Sequence, residues 1–337
     1  MKKLLKISAV SAALLSAPMM ANADVLASVK PLGFIVSSIA DGVTGTQVLV
    51  PAGASPHDYN LKLSDIQKVK SADLVVWIGE DVDSFLDKPI SQIERKKVIT
   101  IADLADVEPL LSQAHHEHFH EDGDHDHKHE HEHKHEHEHG HDHKHEHEHH
   151  DHDHDHHEHE EEPETDEHVW LSLSNAKKIV QAISKQLISV DPDHKDLYTK
   201  NTQDYLLKLD QLHHQYKELT SKAKNKTLVF GDRFPFRYLT HDYGLKYFAA
   251  FSGCSAESEA SFETMVFLAK KIDALGLKNI LVIDRSNQKI AKTVISNTKT
   301  KSQGILTLDS LQTSTTKDDT SYLKAMQKNL ETLTKYL

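Results

Sequence analysis

Residues 115 to 159 hold 23 of the chain's 29 histidines, almost every one followed by Asp, Glu, Lys or another His. Neutral imidazole is the commonest protein ligand for borderline-soft divalent ions, and carboxylates complete such sites. A tract this dense binds several zinc-like ions, weakly and interchangeably. It identifies a protein that handles transition metals, without deciding between transport, storage, sensing and use. The zinc-protease signature H-E-x-x-H occurs inside the tract at His131-Glu132-His133-Lys134-His135. Alternating His and Glu generate it automatically, and a protease needs it on one ordered helix in a pocket. The tract's charge and lack of apolar residues predict disorder, which does not exclude binding.

The ordered chemistry must come from the other six histidines. His57 stands in Pro56-His57-Asp58-Tyr59, where a strand gives way to a loop. In parallel α/β sheets, ligands bind beyond the carboxyl ends of strands. A surface-loop histidine is the plain alternative. His168 stands in Asp166-Glu167-His168-Val169-Trp170-Leu171, between the acidic tract and a helix, with the same ambiguity. Both lie at element boundaries and flank the tract, which favours metal for the pair. His241 reads as a surface residue. His213 and His214 read as solvated positions on a long helix.

The elements that must position these residues follow from periodicity. Before the tract, strands read at Val25–Val29, Gln47–Val50, Leu74–Ile78 and Val98–Ile101. Helices read from Pro31 to Ile39, from Asp65 to Lys70 under a Ser64 cap, and near Val82 to Ile93. After the tract come a helix over Ala176–Ile188, a stop at Asp191-Pro192-Asp193, and a long helix from His194 to Ala223. Tyr198, Thr202, Tyr205, Leu209, Leu212, Tyr216 and Leu219 recur along that helix at spacings of four and three, one apolar stripe. A helix of about 30 residues spans on the order of 45 Å, enough to act as a strut between two lobes. The second half repeats the first pattern. Strands read at Thr227–Phe230, Lys246–Phe251, Asn279–Ile283 and Gly304–Leu308. Helices read at Phe236–Asp242, Phe262–Leu275, Gln288–Thr298 and Ser321–Tyr336, with Gly276 as a stop. The expected fold is α/β: two parallel-sheet lobes joined by one long rigid helix, with a disordered His-rich insertion in the first lobe.

Composition sets the setting. Lys2, Lys3 and Lys6, the apolar run Ile7–Ala17 and Ala21-Asn22-Ala23 read as a cleaved secretory signal, residues 1-23. The apolar run is too short to span a bilayer, and no later stretch is long enough. The single cysteine, Cys254, excludes an internal disulfide. An exported product that is not membrane-embedded, without lipid anchor or disulfide, points to a periplasm. Residues 115–167 carry a net charge of −19 against −13 for the whole chain, which leaves +6 elsewhere. Three of those positive charges belong to the signal, so no basic surface argues for nucleic acid. The expected organisation is a first lobe over 24-192 carrying the His-rich loop 115-162, a linking helix over 193-223 and a second lobe over 224-337. A monomer is expected.

Gly53-Ala54-Ser55-Pro56-His57-Asp58-Tyr59 followed by Leu63-Ser64-Asp65 resembles the first metal-ligand motif of the periplasmic zinc- and manganese-binding proteins of ABC transporters. Asp166-Glu167-His168-Val169-Trp170-Leu171 resembles their second, and the acidic His-rich insertion between the two is typical of the high-affinity zinc-uptake branch. The resemblance covers essentially the whole mature chain. It implies metal in the cleft between the lobes, and delivery to an inner-membrane ABC permease with its cytoplasmic ATPase.

The resemblance also bears on the remaining ligands. The zinc branch usually has a His just after the first strand of the second lobe, and manganese relatives have a Glu. Here the chain reads Phe230-Gly231-Asp232-Arg233, which makes Asp232 the candidate; an Asp paired with Arg233 or capping the next helix is the alternative. Many relatives use an Asp after the last strand of the second lobe, and Asp309 in Leu308-Asp309-Ser310 matches, against a helix-capping alternative. Cys254 offers a thiolate, a good zinc ligand, but matches no family ligand position, and a buried or loop thiol is the alternative; Glu257 stands likewise. His57, His168, Asp232 and Asp309 can together hold Zn2+ tetrahedrally, and the same set also accepts Mn2+, because exchanging imidazole for carboxylate hardens a site. The expected function is capture and delivery of Zn2+, with no catalytic step. The alternatives are a periplasmic zinc buffer or chaperone without a permease, or a manganese-binding member of the same family.

Overall fold

The computed structural model describes residues 24–41, 43, 45–51, 54, 59–79, 83–104, 107, 110, 166–251, 260–312 and 321–337. The signal segment 1–23, the His-rich tract, His57, Cys254 and Glu257 lie outside the described residues.

The first half builds a four-stranded parallel sheet. Its strands are β1 (Val25–Ala27), β2 (Thr46–Val48), β3 (Leu74–Trp77) and β4 (Val98–Thr100), in spatial order β2-β1-β3-β4. Side chains alternate between its faces. Val25, Ala27, Leu74 and Val76 enter the main core, while Leu26, Val75 and Trp77 pack on the opposite face with Val69 and Leu86. Both faces are therefore covered, as parallel sheets require. Helix α1 (Lys30–Ile39) starts with Pro31 in its first turn and buries Leu32, Ile35, Val36 and Ile39. Helix α2 (Leu63–Ser71) precedes β3. Its cap differs from the sequence reading. Lys62 is the N-cap, and Asp65 reaches back to the Lys62 N–H at 3.0 Å. Ser64 lies inside the first turn instead. The helix expected near Val82 to Ile93 is shorter and broken among the described residues. A 3-10 turn at Ser84–Leu86 runs into the one-turn helix α3 (Asp87–Ile90). Pro89 has no N–H to offer the carbonyl four residues earlier, Phe85, so α-helical bonding does not run on from the 3-10 turn, and Pro89 sits in the first turn of α3 instead.

The second half repeats the plan. β5 (Thr227–Phe230), β6 (Lys246–Ala249), β7 (Asn279–Ile283) and β8 (Gly304–Leu308) form a parallel sheet in the order β6-β5-β7-β8. Its helices are α6 (Arg237–Asp242), α7 (Phe262–Leu275), α8 (Lys289–Ser296) and α9 (Tyr322–Tyr336). The ends of α7 follow from single residues. Ser261 accepts the Thr264 N–H at 3.1 Å, and Gly276 takes a left-handed φ of 62°. Leu277 then returns its N–H to Ile272 at 3.0 Å, closing the helix.

Two helices lie between the sheets: α4 (Leu173–Val190) and α5 (Lys195–Lys222). At 28 residues α5 spans about 42 Å. It buries Tyr198, Thr202, Tyr205, Leu209, Leu212, Tyr216 and Thr220 along one stripe, packing against α1, α4 and α9. The last of these is Thr220, with Leu219 only partly buried. One continuous core runs from β1 through this stripe to α9, so the strut is part of both lobes' packing. Among the described residues, no helix is long and apolar enough to cross a membrane.

Candidate metal centre

His168 immediately precedes the 3-10 turn Val169–Leu171 that leads into α4. The burial of Val169, Trp170 and Leu171 pins this turn, and Ser172 caps α4 by accepting the Asn175 N–H at 2.9 Å. His168 is itself only 2% exposed. Its Nδ1 lies 3.1 Å from Oδ1 of Asp166, and the same oxygen accepts the His168 backbone N–H at 2.9 Å. A carboxylate can only accept, so Nδ1 carries the ring proton and Nε2 carries the lone pair. This is the carboxylate–histidine pairing that orients a metal-binding imidazole and raises its basicity. Around Nε2, Glu167 Oε1 stands at 3.7 Å and the Gln312 amide nitrogen at 2.6 Å.

Gln312 comes from the second half, as does Asp309 three residues earlier. Asn329 of α9, 1% exposed, holds the Asp309 backbone in both directions: it accepts the Asp309 N–H at 2.7 Å and donates to the Asp309 carbonyl at 2.8 Å. Asp309 Oδ1 accepts the Leu311 N–H at 2.8 Å, and Asp284 accepts both the N–H and the hydroxyl of Ser310 at 2.7 Å. The turn is then tied to the His168 segment. Trp170 donates its indole N–H to the Ser310 carbonyl at 3.0 Å, and Tyr322 donates to the Trp170 carbonyl at 2.6 Å. His168 and the Asp309 turn thus meet across the two lobes at the carboxyl end of β8.

Asp232 follows β5. Its Oδ1 accepts the Arg233 N–H at 2.9 Å, while Oδ2 is buried with no hydrogen-bond partner among the described residues. A buried carboxylate oxygen without a donor is costly unless a cation compensates it. Gly231 explains why no His precedes it. A Cβ there would lie 2.6 Å from the Ala291 Cα, inside the backbone of α8. The close approach of β5 to α8 excludes any side chain at 231, and the first position able to carry a ligand is 232.

His57 lies outside the described residues, but Tyr59, two positions on, is anchored. Its hydroxyl donates to Asp65 Oδ2 at 2.7 Å, and its ring meets Phe85 edge-on at 5.5 Å. Burial, helped by the Asp65 charge, pushes the Tyr59 phenol up to about 12, so it stays a donor. Asp65, quoted in the sequence only as part of a motif, fixes both α2 and this strand-to-helix connection.

Other titratable residues fall elsewhere. His241 is exposed, and so is His214. His213 is not solvated as expected. It is half-buried, with Nδ1 2.9 Å from the Tyr243 hydroxyl, because the long helix rolls that edge against the residue that ends α6. Burial, reinforced by Lys217 and Lys177, depresses its pKa to about 4. Beside His168, the flanks of segment 111–165 come together: Asp166 donates its N–H to the Leu110 carbonyl at 2.7 Å. Tyr238 staples the same neck, accepting the Leu110 N–H at 3.1 Å and donating to the Asp166 carbonyl at 3.0 Å.

Among the described residues, no three His, Cys, Asp or Glu side chains form a group that could hold an ion. His168 and the Asp309 turn are brought together, and Asp232 offers an uncompensated oxygen. Sequence reasoning missed Asp166, Asn329, Tyr238 and Gln312. Asp166 could have been found from its place two residues before His168; the other three act over separations that leave no local signal.

Residues 25–336 match the family described as zinc-uptake complex component A, periplasmic. The high-affinity zinc uptake system protein ZnuA of Haemophilus influenzae is 63% identical over 303 residues, 89% of each chain. Among solved structures, the metal-dependent lipoprotein YcdH of Bacillus subtilis superposes with a TM-score of 0.68 at 21% identity, covering 94% of this chain and 99% of that one. Zn(II)-bound AdcA of Streptococcus pneumoniae gives 0.67 at 25% identity, covering 94% of this chain and 58% of that one.

Proposed function

The chain belongs to the zinc-uptake complex component A family, and we propose that it captures Zn2+ between its two α/β lobes and hands the ion to an inner-membrane ABC permease driven by a cytoplasmic ATPase. The observation that carries this reading is the buried His168 imidazole, its Nδ1 taken by Asp166 and its Nε2 aimed at the turn that bears Asp309. His57 supplies a second neutral nitrogen. Asp232 and Asp309 supply oxygen and offset the ion's double charge. Two imidazoles and two carboxylates satisfy tetrahedral zinc, and they also tolerate Mn2+. The ion passes through unchanged, so the protein is a carrier and not an enzyme. It works in the periplasm as a monomer, with a first lobe over 24–192, the linking helix over 193–223 and a second lobe over 224–337. The His-rich tract, joined to the fold two residues before His168, gathers or buffers ions near the cleft.

Zinc affinity measured by chelator competition on the full chain tests the reading. His168→Ala weakens the tightest site by at least about tenfold, in line with loss of one preorganised ligand. Equal affinity in both proteins overturns the ligand assignment.

A further inference from the structure

The contact between Gln312 and His168 joins residues 144 positions apart, from opposite lobes, at 2.6 Å. Asp166 occupies Nδ1, so Nε2 is the acceptor, and the Gln312 amide N–H is the donor. One lone pair accepts one partner. Nε2 can take the amide hydrogen or a metal ion, not both.

The turn that delivers Gln312 is built to hold it there. Its base is fixed by Asn329 on the Asp309 backbone and by Asp284 on Ser310. Leu311 then adopts a left-handed φ of 64°, a conformation that a branched apolar residue takes only at a cost. That kink carries Gln312 back towards the first lobe. Leu311 is itself fully buried, which offsets the cost. Gln312 is only half-buried, so its side chain can turn aside without unpacking the core.

We infer that Gln312 is a displaceable latch. In the empty protein it protects the His168 lone pair, keeps the imidazole oriented and ties the Asp309 turn to the first lobe. An arriving zinc ion displaces it, and the bond re-forms as the ion leaves. Gln312 therefore lowers zinc affinity by stabilising the empty state, and it gives the buried Nε2 an alternative partner at the moment of release. The inference rests on the reading that His168 Nε2 is a zinc ligand.

The test uses the full chain with Gln312→Ala and with Gln312→Met, which keeps the length but removes the donor. Affinity is read by chelator competition at one equivalent of zinc. Thermal unfolding is followed with chelator and with one equivalent of zinc. A part-buried hydrogen bond of ordinary net strength predicts that both variants bind zinc about two- to tenfold more tightly than wild type. Both unfold at lower temperature than wild type when empty, and at the same temperature when loaded. Unchanged or weaker affinity overturns the latch. So does an equal loss of stability with and without zinc, the signature of a merely structural contact. His168→Ala separates the two claims. If it binds zinc as wild type does, the ligand reading and the latch fall together. If it weakens binding while the Gln312 variants leave affinity unchanged, the latch alone falls.

Discussion

Asp166 Oδ1 receives two hydrogens from His168, the backbone N–H at 2.9 Å and the ring Nδ1–H at 3.1 Å. One oxygen thereby fixes the turn, the tautomer and the direction of Nε2. Removing its charge leaves the ring in place but less basic. Asp166→Asn is expected to weaken zinc binding about 10- to 100-fold, the usual cost of losing such a partner. Chelator competition checks it, and an affinity within about twofold of wild type removes Asp166 from the account.

Asp232 and Asp309 end different strands but, as ligands of one ion, are expected each to be needed for tight binding, with effects that do not simply add. Asp232→Ala and Asp309→Ala each weaken the tight site by about tenfold or more, while His214→Ala, at an exposed position of α5, changes little. Isothermal titration of the three variants decides. If neither aspartate matters, the ligand set is wrong in its second half, and Glu167, 3.7 Å from Nε2, becomes the carboxylate to test.

Asp65 joins Tyr59 to the N-terminus of α2 through bonds of 2.7 and 3.0 Å. Asp65→Ala removes a helix cap and a half-buried tether together. It is expected to cost about 1–2 kcal/mol of stability and to weaken zinc binding through the segment that carries His57. Tyr59→Phe keeps the cap and loses only the tether. If it equals Asp65→Ala in stability, the cap contributes nothing.

His213 carries a pH dependence of definite sign. Its folded pKa is depressed from 6.5 to about 4, chiefly by burial and then by Lys217 and Lys177. The unfolded chain therefore binds this proton first. The stability linked to His213 is present above pH 6.5 and is lost as pH falls towards 4. His213→Gln can still pair with the Tyr243 hydroxyl and cannot take the proton. Its unfolding temperature should fall less steeply than that of wild type across this window, and parallel curves would contradict the assignment.

Much of the fold was legible because its boundaries are local. β5, β7, β8 and α7 begin and end as their patterns predict, since Ser261 and Gly276 punctuate α7 and apolar runs define the strands. The short helices around Pro89 were not legible, because periodicity there competes with a missing N–H. The site divides in the same way. Asp232 and Asp309 were reached through motif resemblance, and the Gly231–Ala291 contact explains only why position 231 carries no side chain. Gln312, Asn329 and Tyr238 reach their partners over 144, 20 and 72 residues, contacts that only tertiary packing creates. His213 looked solvated because its helix face is polar in sequence; its cover comes from Tyr243, 30 residues away.

The central claim is one tight zinc site on His168, distinct from the tract. The bond from the Asp166 N–H to the Leu110 carbonyl brings the two flanks of segment 111–165 together at 2.7 Å, so residues 115–162 can be removed and closed with a short linker. Zinc retained per molecule against a strong chelator is then counted for this shortened chain, with and without His168→Ala. The account predicts one ion retained with His168 and none without it. No retained ion in the shortened chain, or one ion in both forms, would contradict it.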